Sequence, residues 1–136
     1  MKNQLLVGSP NSARFAECPS TVKSGDLVLI GAQPACALND YQANTGGATF
    51  YFSGTYSGTV QASSTHSPVT GAAIGVGDKL YASGTLDTPT NVTTGLWISV
   101  DSSDTPFGFV DPQLGVAQLS GVVNTAQAIR LGTPGD

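Results

Sequence analysis

Charge is scarce in this chain. Only 10% of the 136 residues are charged, Glu17 is the single glutamate and His66 the single histidine, and the five basic residues are scattered from Lys2 through Arg14, Lys23 and Lys79 to Arg130. A nucleic-acid surface needs its cations gathered on one face, so with a net charge of −4 no nucleic-acid partner is expected. Long apolar runs are missing too. The longest, Leu27 to Ala32, falls far short of the roughly 20 residues that cross a bilayer, and Leu5-Leu6-Val7 is too brief for a secretory core. The expectation is a soluble protein without a membrane partner, made where it acts, so that the sequon Asn91-Val92-Thr93 carries no sugar. Two cysteines, Cys18 and Cys36, cannot build a disulfide-rich scaffold or complete a zinc site unaided. They read as buried thiols, with a disulfide as the alternative.

Reactive constellations are equally thin. His66 lies in Ser63-Ser64-Thr65-His66-Ser67-Pro68, and no Gly-x-Ser-x-Gly elbow accompanies it, since Gly54-Thr55-Tyr56-Ser57-Gly58 has the wrong spacing. Gly75-Val76-Gly77-Asp78-Lys79-Leu80 fails the phosphate-loop pattern in both spacing and final residue. Asp101 and Asp104, with Asp87 or Asp111, offer oxygens to a calcium ion, but they lack the alternating spacing and closing glutamate of a calcium loop, and turn capping explains them. The reading is therefore of a protein that is not an enzyme, with no catalytic residue, metal ligand or cofactor.

What the chain does contain is glycine, serine and threonine, 17, 14 and 15 residues respectively, about a third of the total and a poor composition for long helices. Twice a Gly-Asp turn runs straight into an apolar strand, first at Ser24-Gly25-Asp26-Leu27-Val28-Leu29-Ile30-Gly31 and again at Val76-Gly77-Asp78-Lys79-Leu80-Tyr81. Gly25 and Gly77 supply the positive φ of a tight turn, and the carboxylates of Asp26 and Asp78 can bond to their own backbone. Strands are predicted over 14–22, 27–31, 35–38, 50–56 with an extension to 62, 79–83, 96–100, 107–110, 116–123 and 128–131, with Pro34 marking an edge or a break. Within these, Phe50, Phe52 and Tyr56 share a face, and Leu96, Ile98 and Val100 oppose Trp97 and Ser99. Residues 39–49, 63–73 and 85–95 read as long loops.

The fold expected is all-β, a small single-domain β-barrel or β-sandwich spanning 13–132, with an extended N-terminal arm over 1–12 and a frayed tail over 133–136. Phe50, Phe52 and Phe109 are expected in the core, whereas Tyr51, Tyr56 and Trp97 are candidate interface aromatics.

The two Gly-Asp strands, the later Phe107-Gly108-Phe109-Val110 and the closing Ala128-Ile129-Arg130-Leu131 occur in an order and spacing that resemble the capsid decoration, or cement, proteins of tailed bacteriophages, over most of residues 13–132. That resemblance implies a structural virion protein, typically a homotrimer, assembled in the host cytoplasm and seated on the outer capsid surface. Its partners would be the major capsid protein of the expanded lattice and further copies of itself. The three long loops depart from the family pattern. Leu5, Leu6 and Val7 of the arm are candidate anchors, able to add to a strand edge on a coat subunit or on the next protomer. The alternative is another virion β module, such as a tail or receptor-binding part that holds carbohydrate on exposed Trp97 or Tyr81.

Overall fold

The computed structural model describes residues 13–61, 73–117 and 125–132. The expected arm, His66, residues 118–123 of the expected 116–123 strand and the frayed tail lie outside them. Among the described residues the chain is all-β and forms nine strands: β1 (Arg14–Glu17), β2 (Leu27–Ile30), β3 (Gln33–Ala37), β4 (Gly47–Tyr51), β5 (Thr55–Val60), β6 (Lys79–Asp87), β7 (Val92–Ser99), β8 (Thr105–Val110) and β9 (Thr125–Leu131). Their hydrogen-bonded order is β1-β4-β3-β2-β7-β6-β8-β9-β5, antiparallel, and among the described residues β1 and β5 do not pair to close it into a barrel. Backbone contacts group the residues into two compact units. One holds those up to Gly54 with Gly84–Leu96, the other those of Thr55–Ser83 with those from Trp97 onward.

In the first unit, period-two alternation builds the core. Ala16 and Cys18, Val28 and Ile30, Ala35 and Ala37, and Ala48, Phe50 and Phe52 each take every second position, and all join one cluster with Val22, Tyr41 and Val92. Phe50 is its largest fully buried side chain, set among alanines and valines. In the second unit Val60, Ile74, Leu80, Phe107, Val110 and Ile129 are fully buried.

Several boundaries differ from the sequence reading. The expected 50–56 strand is two strands, because Gly54 takes φ 109° and breaks the ladder, so Phe50 and Tyr56 fall in different units. Residues 85–95 are no loop: β6 and β7 run through them and only Thr88–Asn91 turns, with Asp87 accepting from the Thr90 amide and hydroxyl and Asn91 in the left-handed region at φ 61°. Polar threonines there hid strands that are exposed on at least one side. Pro34 sits inside β3 opposite Leu29, and it interrupts nothing because the ladder from β3 to β4 begins only at Cys36. Ile98 and Ser99 are both buried, so the alternation expected of β7 is not expressed at that end. Phe109, expected in the core, is only half-buried and is flanked across the sheet by Lys79 and Arg130, whereas Phe107, not assigned to the core from sequence, is fully buried.

Both cysteines are free and buried. Cys18 belongs to the cluster face, whereas Cys36 alternates with Ala35 and Ala37 and so points to the opposite side of β3. Burial, together with the nearby Asp26 carboxylate, pushes the Cys36 thiol up to about 11, and burial also raises that of Cys18. At neutral pH both are protonated and poorly nucleophilic.

Candidate interaction surface

The two Gly-Asp turns repeat one bonding pattern, once in each unit. In the first, Asp26 Oδ2 accepts from the Lys23 amide at 3.0 Å, the Asp26 amide returns a bond to Lys23 O, and Gly25 and Asp26 exchange backbone bonds with Ala37 on β3. In the second, Asp78 Oδ2 accepts from the Gly75 amide at 2.7 Å, the Asp78 amide donates to Gly75 O, and Gly77 and Asp78 exchange bonds with Val110 on β8. Gly25 and Gly77 have φ of 90° and 87°, a region costly to residues with a Cβ. A sequence repeat thus becomes the same device, a turn that locks the start of a strand to its neighbour.

Of the four aspartates considered for calcium, Asp87, Asp101 and Asp111 cap turns with their carboxylates. Asp101 Oδ1 accepts from the amide and hydroxyl of Ser103, Asp87 caps Thr90, and Asp111 Oδ1 accepts from the amides of Gln113 and Leu114 at 2.8 and 3.0 Å. Among the described residues no group of three or more His, Cys, Asp or Glu is arranged to hold a metal ion.

Asp111 does more than cap. Its other oxygen accepts from the Thr55 hydroxyl at 2.8 Å, which ties β5 to the segment after β8. Buried Gln127 on β9 completes the hold: its Oε1 accepts from the Val116 amide at 2.8 Å and its Nε2 donates to Val116 O at 2.6 Å, so the side-chain amide acts as a surrogate strand partner. A Cβ on Gly115 would collide with Val110, so glycine lets this segment pack close. The outcome is a pinned loop whose apolar side chains face water, Leu114 at 69% exposure and Val116 at 54%. Beside it runs a groove of about 330 Å³ lined by Thr55–Ser57, Leu114, Val116 and Ala126–Ala128.

Burial by itself would raise the Asp111 pKa, but the Leu114 and Gln113 amides, the Thr55 hydroxyl and the Arg130 charge outweigh it and hold the carboxyl below the ordinary carboxylate value. A depressed folded pKa contributes stability that is fully present above the unfolded value, about 3.9, and is lost as pH falls through the folded one. Urea midpoints measured from pH 7 to pH 2 should therefore hold through the neutral range and decline below about pH 4. Asp111→Asn should make that acid decline shallower, and an identical acid limb in the variant would contradict the assignment.

The other exposed apolar positions include Phe15 at 54% and Leu38 at 46%, both in the first unit. Phe15 pairs with Thr49, and the Leu38 amide donates to Thr49 O at 2.7 Å, so the two flank one residue of β4. Comparison of the chain with known protein families, curated proteins and solved structures finds no match.

Of the residues singled out from sequence, Leu5, Leu6 and Val7 lie outside the described residues, and Tyr51 on β4, Tyr56 on β5 and Trp97 on β7 are each half-buried. Tyr51 belongs to the first unit and the other two to the second. Trp97 and Tyr81 are half-buried and not the exposed platforms a carbohydrate site would present. Sequence reading missed Phe15, Leu114 and Val116. The signal available for the last two was Asp111-Pro112-Gln113-Leu114-Gly115-Val116, a capped turn with apolar residues where polar ones are usual.

Proposed function

We propose that this protein is a capsid decoration protein, a fastener that binds the outer surface of an expanded coat lattice and works by adhesion, without turnover. One observation carries the reading: Leu114 and Val116 are held out into water by two buried polar side chains, Asp111 and Gln127. Keeping exposed apolar groups in one conformation lowers the entropy that a docking partner must remove, which suits a contact loop. The all-β body, the short turn-locked strands and the resemblance of the Gly-Asp pattern to cement proteins point the same way. A ligand that binds the mature lattice better than its precursor shifts the equilibrium toward maturity by its differential affinity, and repetition over equivalent sites multiplies a modest contact. In this reading Leu5, Leu6 and Val7 add a second anchor, and the protein acts as a homotrimer bound to the major capsid protein.

The test is occupancy on expanded heads, by sedimentation and by particle reconstruction. Leu114→Asp with Val116→Asp should lower occupancy at least tenfold, since charging a buried contact costs over about 1.4 kcal/mol. Deleting residues 1–12 should weaken binding while leaving the isolated protein folded. Undiminished occupancy in both variants, or no attachment of the folded wild type to expanded heads, would reject the proposal.

A further inference from the structure

Lys79 on β6, Phe109 on β8, Arg130 on β9 and Thr55 on β5 stand in one row, because Lys79 pairs with Phe109, Phe109 with Arg130 and Arg130 with Thr55. Residues directly opposite one another share a sheet face. Two cations far apart in sequence are thereby set about 10 Å apart, two strand spacings, on either side of half-buried Phe109. Both are exposed. Among the described residues neither forms an ion pair: Asp78, next to Lys79, accepts from the Gly75 amide, and Asp111 spends its oxygens on Gln113, Leu114 and Thr55, feeling the Arg130 charge without bonding to it.

The groove beside Leu114 and Val116 adjoins this row. Period two puts Ser57 and its partner Ala128, and then Ala126, on the face that carries Thr55 and Arg130, and Thr55, Ser57, Ala126 and Ala128 all line the groove. Ala128 lies two residues, about 7 Å, from Arg130. An apolar wall, a floor of small side chains and a pair of cations are therefore neighbouring parts of one surface, all within the second unit.

We propose that this surface receives an acidic, aliphatic segment of the coat protein, whose aliphatic side chains enter the groove against Leu114 and Val116 while carboxylates meet Arg130 and Lys79. The inference rests on the adhesive role proposed above and adds the chemistry of the partner. Charge complementarity selects this occupant: a wholly apolar partner would strip water from two cations and return nothing, whereas a carboxylate suits the guanidinium fork and speeds encounter. A second copy fits poorly. A two-fold contact of this face with itself brings cations toward cations.

Attachment of the full-length protein to expanded heads, titrated in about 50 and about 500 mM sodium chloride, tests it, and wild-type affinity should fall about tenfold between the two. Lys79→Gln with Arg130→Gln should bind about tenfold more weakly at the lower salt and lose most of the salt dependence. Lys79→Gln alone, at the far end of the row from Thr55, should lose about threefold with a thermal midpoint within about 2 °C of the wild type. Salt-independent attachment, or undiminished attachment of folded Lys79→Gln, overturns this inference and leaves the adhesive role standing, whereas no attachment at either salt overturns both. Variants that change the self-association of the free protein, with head binding unaltered, would give the face to a second copy and also overturn it.

Discussion

Replacing Gly108 with alanine lowers the thermal midpoint by roughly 10 °C, through a loss of about 3 kcal/mol. β8 lies between β6 and β9, with Gly108 paired to Leu80 on one side and Leu131 on the other. A Cβ at this position would run into the carbonyl oxygen of Arg130, with the Arg130 carbonyl carbon and Leu131 Cα close behind at 3.1 and 3.3 Å. The obstacles are backbone atoms held in the β8–β9 ladder, so no side chain can turn aside, and relief requires parting strands that pair at Gly108, Phe109 and Val110. The backbone of Gly108 is not left-handed, so the penalty is one of space. Gly25 is the useful contrast, because a Cβ there meets nothing within 4 Å and the φ of 90° alone is strained. Gly25→Ala should cost about 1–2 kcal/mol, less than Gly108→Ala. Thermal unfolding followed by far-UV circular dichroism measures both, and the opposite ranking would show that the β8–β9 contact is softer than its geometry indicates.

Phe50→Ala removes more, about 3–5 kcal/mol out of the 5–15 typical of a whole domain. Phe50 is fully buried, and its cluster neighbours Val28, Ala35, Ala37, Ala48 and Val92 are too small to reach into the space its ring would vacate. β4 is bonded to β1 through one set of residues and to β3 through the alternate set, so the strand cannot sink inward to close the cavity. Phe52→Ala, at the half-buried margin of the same cluster, should cost clearly less. Urea denaturation with unchanged slope would report the difference as stability, and a Phe50→Ala loss no larger than that of Phe52→Ala would contradict this account of the core.

Some of this architecture is legible in the residues. The Gly-Asp turns are readable because positive φ and a carboxylate that caps its own backbone are properties of two adjacent side chains, and the structure places them at 23–26 and 75–78 with matching bonds. β2 is readable because its apolar run sits directly after such a turn. The hairpin through residues 85–95 is not, since Thr85, Thr93 and Thr94 become strand only by pairing with neighbours whose identity local pattern does not contain. The division at Gly54 escaped for a related reason: an apolar alternation through 50–56 looks continuous until the chain turns.

The surface divides along the same line. That this chain is all-β, poor in charge and punctuated by aspartate-capped turns was determined by the sequence alone, because composition, turn chemistry and period-two alternation act over a few residues. Which apolar side chains stay outside was decided by tertiary structure. Leu114 and Val116 are exposed because Asp111 and Gln127, the latter more than ten residues away in the chain, bind their backbone and hold it, and Phe15 lies on β1, the end of the strand order among the described residues. Exposure depends on what long-range pairing brings alongside a residue, and hydrophobicity read along the chain does not carry that information.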